Sequence, residues 1–241
     1  MDGTYEERYQ AVYAAGVRYL TRREPDAEVH LRAFLEQQSA RGRLIEFGCG
    51  EGFMASLAAE LGYQVTAVDS APSAIARARE THRHPDITFL CADVRELDAL
   101  PSESFDVAID LGCLHIITED EAARRYLAHA FRLLRRGGCA YYQNLVPADD
   151  AEAWLPGKAQ LAGSWRQRLA EAQATGSFIR SYEANGHSVE VELAVISSAK
   201  RPLIQQVALL GQAGFSVESA RVVSPGLNSP FEAILISRKP D

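Results

Sequence analysis

Apolar residues recur at three- and four-residue steps through the first 40 positions. Tyr5, Tyr9, Val12, Tyr13 and Val17 form one series; after the Glu24-Pro25 break, Val29, Leu31, Phe34 and Leu35 form another. That spacing predicts two amphipathic helices. From Arg43 the texture changes. Short apolar runs at 44–47, 65–68, 87–91, 105–110 and 139–145 read as strands, and amphipathic stretches over 53–61, 73–82 and 119–134 read as helices between them. Buried strands alternating with helices predict a mostly parallel sheet with helices on both faces.

The alternation stops near Pro147. Residues 148–176 read as helical, and strand-like runs at 178–183 and 188–196 flank Ala184-Asn185-Gly186-His187. Asn-Gly between alternating apolar positions predicts a hairpin, because both residues tolerate positive φ. A helix over 203–211 and strands over 215–223 and 231–237 complete the pattern. The stretch 148–201 is short for an independent core. The expected organisation is therefore one domain over 1–241: a helical lid (1–40), an α/β core (43–145), an insertion (148–201), and a last helix and strands (202–241).

The most informative stretch is Leu44-Ile45-Glu46-Phe47-Gly48-Cys49-Gly50-Glu51-Gly52. A buried strand runs into three glycines at alternate positions and then into a helix. Glycine serves where backbone must turn sharply and let a ligand approach without a Cβ in the way. In an open α/β sheet such a turn lies at the carboxyl ends of the strands, where ligands bind. A dinucleotide fingerprint would place a third glycine at position 53, which is Phe53, and a phosphate-binding P-loop would need a Lys after Gly52. Neither pattern is met.

The acid-x-Gly-x-Gly-x-Gly turn, with Cys49 between its first two glycines, resembles the first motif of the class I S-adenosylmethionine-dependent methyltransferases. The likeness continues in order along the chain. Val65-Thr66-Ala67-Val68-Asp69 ends the second strand in an acid 21 residues after Gly48. Phe89-Leu90-Cys91-Ala92-Asp93-Val94 is similar to the family's third-strand end, Phe105–Asp110 to its fourth strand, and Leu133-Leu134-Arg135-Arg136-Gly137-Gly138 to its turn before strand five.

The resemblance implies a Rossmann-like α/β fold, a seven-stranded sheet ordered 3-2-1-4-5-7-6, and S-adenosylmethionine as cofactor. Carried over position by position, it implies that Glu46 receives the cofactor's ammonium, Asp69 its ribose hydroxyls and Asp93 its adenine amino group. Gly48, Cys49, Gly50, Ser70, Val94, Asp110 and Leu111 complete the expected cofactor contacts. Each acid has a plainer reading as a loop-start residue or helix cap.

Methyl transfer is an in-line displacement at an activated carbon, so the protein must align an acceptor and exclude water. A base matters only if the acceptor carries a proton that leaves early. His115, in Asp110-Leu111-Gly112-Cys113-Leu114-His115 after the fourth strand, is the expected base or acceptor-orienting residue; packing on the cofactor is its other reading. The same stretch, with the opening Tyr5-Glu6-Glu7-Arg8-Tyr9, is similar to the thiol, halide and tellurite methyltransferases. Tyr9, Tyr142, Asn144, Trp165 and Tyr182 are expected around the acceptor. The stripe Tyr5, Tyr9 and Tyr13 suits either packing against the sheet or a lid closing over a sulfonium.

Composition narrows the partners. Twenty-five basic against 32 acidic side chains give a net charge of −7. Without a basic stripe no nucleic-acid partner is expected, and no run approaches the roughly 20 apolar residues of a membrane span. The amino-terminal residues lack the basic-then-apolar pattern of a secretion signal. Cys49, Cys91, Cys113 and Cys139 are scattered without a C-x-x-C pair, so reduced thiols and a cytoplasmic location are expected, with no metal site. Three of the thiols fall near one sheet edge, where they suit either a soft metalloid or space filling. The expected partner is a small-molecule acceptor, and the expected state a monomer or homodimer. The alternatives are an RNA or protein methyltransferase and a non-catalytic cofactor binder.

Overall fold

A computed structural model of the chain describes residues 4–19, 25–39, 41–155, 167, 170–184, 186–224 and 231–241. In chain order the elements are α1 (Tyr5–Ala14), α2 (Pro25–Glu36), β1 (Arg43–Phe47), α3 (Phe53–Glu60), β2 (Gln64–Asp69), α4 (Pro72–Thr81), β3 (Ile87–Cys91) and β4 (Phe105–Leu111). They continue with α5 (Asp120–Leu133), β5 (Leu134–Leu145), α6 (Ala148–Trp154), β6 (Ser177–Ala184), β7 (His187–Ala194), α7 (Leu203–Gln212), β8 (Ser216–Val223) and β9 (Glu232–Arg238). A short 3-10 turn, Leu114–Ile116, follows β4.

Seven strands form one sheet in the order β3-β2-β1-β4-β5-β9-β8. The first five are parallel, and β9 runs antiparallel between β5 and β8. This is the order the resemblance implies, with β8 and β9 as its sixth and seventh strands. Both faces are covered. Ile45, Phe47, Ala108 and Tyr142 point into one apolar cluster with Tyr126, Leu127 and Leu210. Leu44, Ala67 and Ile109 point into the other with Leu31, Leu57 and Ile75. Strands buried on both sides account for the near-continuous apolar runs in the sequence.

The structure departs from the expected elements at Leu134–Gly138. Read as a turn, this segment is counted into β5, because Leu134 already pairs with Phe105 before the register jumps to Val107↔Cys139. Gly137 takes a left-handed φ of 68° there, so the turn survives as a bulge inside the strand.

β6 and β7 form a separate two-stranded ribbon in which Ala184 pairs with His187. Gly186 has φ 78°, as a two-residue hairpin turn requires, while Asn185 lies outside the described residues. The ribbon does not join the sheet. Its Tyr182, Val191 and Leu193 bury against Val12 and Val17 of the amino-terminal segment, and Arg8 Nε donates to Ala194 O at 2.8 Å. α1 starts with a complete capping box: Thr4 Oγ1 accepts from Glu7 N, and Thr4 N donates to Glu7 Oε2. It docks on α4 through Glu6, whose carboxylate accepts from Ser73 N and Ser73 Oγ in the first turn of that helix. Among the described residues no helix is long and apolar enough to cross a membrane.

Candidate active site

The order 3-2-1-4 reverses the direction of winding between β1 and β4, so a crevice opens beyond the carboxyl ends of these two strands. The glycine turn follows β1. Gly48, Gly50 and Gly52 have φ of 70°, 51° and 80°, the left-handed region that disfavours a side chain. Space is limited as well. A Cβ on Gly48 would lie 2.8 Å from Cys113 Cβ, one on Gly50 2.6 Å from the Tyr9 hydroxyl, and one on Gly52 2.6 Å from the Phe89 ring. The turn is thus enclosed by the loop after β4, by α1 and by β3.

The three acids occupy different environments. Glu46 is 3% exposed, and its Oε2 has no hydrogen-bond partner among the described residues. Burial, with Asp69 and Asp110 nearby, pushes its carboxyl up to about 8, against a hydrogen bond from the Ala55 backbone. Asp69 Oδ2 accepts from Gly50 N and Oδ1 from Ala71 N, both at 2.8 Å, which ties the glycine turn to the end of β2. Burial raises its carboxyl above the ordinary value. Asp93 is engaged by Arg95, which donates from its backbone N at 2.8 Å and from Nε and Nη2. That pairing holds Asp93 below the ordinary carboxylate value.

Asp110 is fully buried and accepts four hydrogen bonds: Cys113 N (2.8 Å), Leu114 N (3.0 Å), Tyr126 Oη (2.8 Å) and Asn144 Nδ2 (3.1 Å). Burial still lifts it to about 6. Asn144, from the end of β5, turns its Oδ1 toward both His115 N and His115 Nδ1, each at 3.1 Å. The backbone N–H can only donate and the Asp110 carboxylate accepts, so the amide orientation is determined by its neighbours. Asn144 Oδ1 must then receive a proton from Nδ1, and in the neutral ring the lone pair falls on Nε2. Burial pushes the His115 pKa down to about 4, with Lys200 adding to the shift, so the ring is neutral at pH 7.

The remaining expected residues are spread over the crevice and its cover. Cys49 is buried and its N donates to Val68 O at 2.9 Å. Ser70 is exposed, Val94 is buried in the apolar cluster with Leu97, and Leu111 is half-buried on the opposite face. Tyr142 is buried, its hydroxyl without a partner among the described residues and its ring edge-on to Phe215 at 6.2 Å. Tyr182 is buried between α1 and the ribbon, its hydroxyl likewise without a partner among the described residues. Tyr9 packs on Ala71 and Ala74 with Tyr5, Tyr13 and Tyr19 around it. The tyrosine stripe therefore covers the glycine turn and the start of α4 instead of packing on the sheet. Trp165 lies outside the described residues.

Three further residues carry no sequence signal for their role here. Glu51, inside the glycine turn, is 2% exposed and accepts from Tyr13 Oη at 2.7 Å. Tyr126 and Arg201 brace the loop after β4 from α5 and from the arm that precedes α7. The burial of Glu51 is set only by the fold, and the other two act on partners far along the chain.

Residues 44–138 match the family model described as a methyltransferase domain. The chain is 29% identical over 151 residues to a phthiotriol/phenolphthiotriol dimycocerosates methyltransferase of Mycobacterium ulcerans, covering 62% of this chain and 53% of that one. A ubiquinone biosynthesis O-methyltransferase of Xanthomonas oryzae is 32% identical over 108 residues, 44% of each chain. The likeness to a methyltransferase domain is thus centred on the glycine turn and the strands that follow it. The chain spans about half the length of these curated relatives. Among solved structures, one described by the conversion of a disulfide bond into a thioacetal group during echinomycin biosynthesis superposes with a TM-score of 0.60 at 25% identity, covering 89% of this chain and 81% of that one. A Burkholderia thailandensis 1,6-didemethyltoxoflavin-N1-methyltransferase, solved with S-adenosylhomocysteine, shares the fold at a TM-score of 0.58 and 22% identity, covering 90% and 78%.

One feature of the crevice suits such a nucleoside. The buried Glu46 oxygen, unpartnered among the described residues, is a natural receptor for an ammonium group.

Proposed function

We propose that this chain is an S-adenosylmethionine-dependent methyltransferase acting on a small molecule whose nucleophilic atom carries a proton. The observation that carries the reading is the juxtaposition of two features across one crevice. On the β1 side lie the glycine turn and Glu46, whose Oε2 has no partner among the described residues; on the β4 side lies a neutral imidazole with a fixed tautomer. Glu46 and Asp69 would hold the cofactor's ammonium and ribose, and Asp93, while paired with Arg95, keeps lone pairs for the adenine edge. Gly48, Cys49, Gly50, Ser70, Val94 and Leu111 would shape the same trough. The bound cofactor supplies a methyl carbon already activated by its sulfonium.

His115 would take the acceptor's proton on Nε2, while Nδ1–H remains on Asn144 and the Asp110 carboxylate stabilises the imidazolium through that amide. Asp110 itself would then position the loop and contact the cofactor only at its rim. The cover made by α1, whose Tyr9 lies over the glycine turn, and by the β6–β7 ribbon packed on it supports a small acceptor. The names of two relatives, a phthiotriol/phenolphthiotriol dimycocerosates methyltransferase and a ubiquinone biosynthesis O-methyltransferase, favour the same class.

The test is turnover of labelled S-adenosylmethionine to S-adenosylhomocysteine with a panel of phenols, thiols, amines and carbon acids. His115→Ala is expected to lower turnover by roughly 10²–10⁴-fold with cofactor affinity unchanged. Equal turnover in the variant would remove His115 from the chemistry.

A further inference from the structure

Arg201 stands apart among the charged side chains. It is 4% exposed, yet it sits in the arm that joins the β6–β7 ribbon to α7. Its guanidinium is spent on the loop that carries His115: Nη1 donates to Leu114 O (3.4 Å), and Nη2 to Ile117 O (3.0 Å) and Thr118 O (3.3 Å). Nε and Nη2 also meet Asp120 Oδ1, at 3.2 and 3.0 Å, at the start of α5. Two residues earlier in the arm, Ala199 N donates to His115 O at 2.7 Å. The arm is anchored in turn: Gln206 Nε2 donates to Arg201 O (2.8 Å) and to Leu145 O (3.1 Å), the residue after Asn144.

These bonds close a ring. From Asn144 the path runs through the His115 ring and backbone to the 114–118 turn, then through Arg201 and Gln206 to Leu145, and back along β5 to Asn144. One arc holds the imidazole by Nδ1; the other holds the backbone that aims it. Burying a guanidinium costs several kcal/mol of hydration unless its donors are satisfied. Here that cost is offset by Ile117 O and Thr118 O just beyond the 3-10 turn, by Leu114 O, which also accepts from Ile117 N, and by the Asp120 carboxylate. A lysine offers a point charge and cannot span four separated acceptors as the planar fork does.

We propose that Arg201 is a positioning residue for His115, so that the imidazole is held in its Nδ1–H form against Asn144 only while the arm leading from the ribbon is docked. The proposal rests on the reading of His115 as the base, and it links closure of the cover to assembly of that base.

The test is imidazole ¹⁵N NMR on the full chain with S-adenosylhomocysteine present, the His115 signal being assigned by its loss in His115→Ala. The wild type is expected to show one neutral Nδ1–H tautomer. In Arg201→Lys the two nitrogen shifts are expected to move toward each other as the tautomers interchange. Turnover should fall about 10–100-fold, while the dissociation constant for S-adenosylhomocysteine stays within twofold. Asp120→Asn keeps the carbonyl contacts and removes the countercharge, so a smaller change in the same direction is expected. It also serves if Arg201→Lys does not fold. An unchanged His115 signal in whichever variant folds would overturn the proposal. Full turnover in His115→Ala would instead strike the reading of the base, a result the NMR arm distinguishes.

Discussion

Asp69 does two jobs at one carboxylate, tying Gly50 N and Ala71 N together while facing the crevice. Asp69→Ala is expected to weaken S-adenosylhomocysteine binding by about 1–3 kcal/mol, roughly 5- to 150-fold, through lost charge-assisted hydrogen bonds; isothermal calorimetry reads it. Glu46 makes a different prediction. Its carboxyl sits at about 8 in the ligand-free fold, so it is largely protonated at pH 7 and must ionise to receive an ammonium. Binding should therefore release a proton at pH 7, and affinity should rise as pH climbs toward 8. Calorimetry in buffers of different ionisation enthalpy measures that proton, and Glu46→Gln should abolish its release. At this scale the sequence was most readable. Acids at strand ends and glycines in a turn are local signals, whereas Arg201 and Tyr126 are defined by partners that only the fold supplies. Burial was less legible still: Asp110 read as a cofactor contact, and nothing along the chain announces that four donors surround it.

Elements were legible where one period dominated. β3 occupies the expected 87–91, and the Asn-Gly signal marks the ribbon, whose pairing follows from it. The bulge at 134–138 was not legible, because a helix-ending arginine pair and two glycines read the same whether or not Leu134 finds a strand partner. The position of α1 was likewise open: its tyrosines fit either a sheet or a lid by periodicity, and Glu6 on Ser73 decides in favour of α4. Two variants test these elements. Gly52→Ala combines a left-handed φ with a Cβ 2.6 Å from a Phe89 ring carbon. It should destabilise the fold by at least about 1–2 kcal/mol, seen as a lower denaturation midpoint. Tyr13→Phe removes the donor to buried Glu51 and should reduce the opening free energy of α1 by about 1 kcal/mol, seen as faster amide exchange confined to α1.

For the whole molecule, three buried groups set the pH dependence of stability. Glu46 is raised from 4.5 to about 8 and Asp110 from 3.8 to about 6, so their contributions are full below the ordinary values and are lost as pH rises through those windows. His115 is lowered from 6.5 to about 4, so its contribution is present above 6.5 and is lost as pH falls toward 4. Between pH 6.5 and 8 the Glu46 term changes most among these three. The melting temperature of the ligand-free protein should fall across that interval, and Glu46→Gln should flatten the fall.

On the proposed reading, the crevice between β1 and β4 receives an amino-acid-bearing nucleoside anchored by Glu46 and Asp69. Calorimetric titration of the full chain with S-adenosylhomocysteine, with a nicotinamide dinucleotide as the control, tests it most directly. The account predicts saturable one-to-one binding of the S-adenosyl compound, weakened in Asp69→Ala, and no heat from the dinucleotide. Binding of the dinucleotide in its place, or of neither compound, would contradict it.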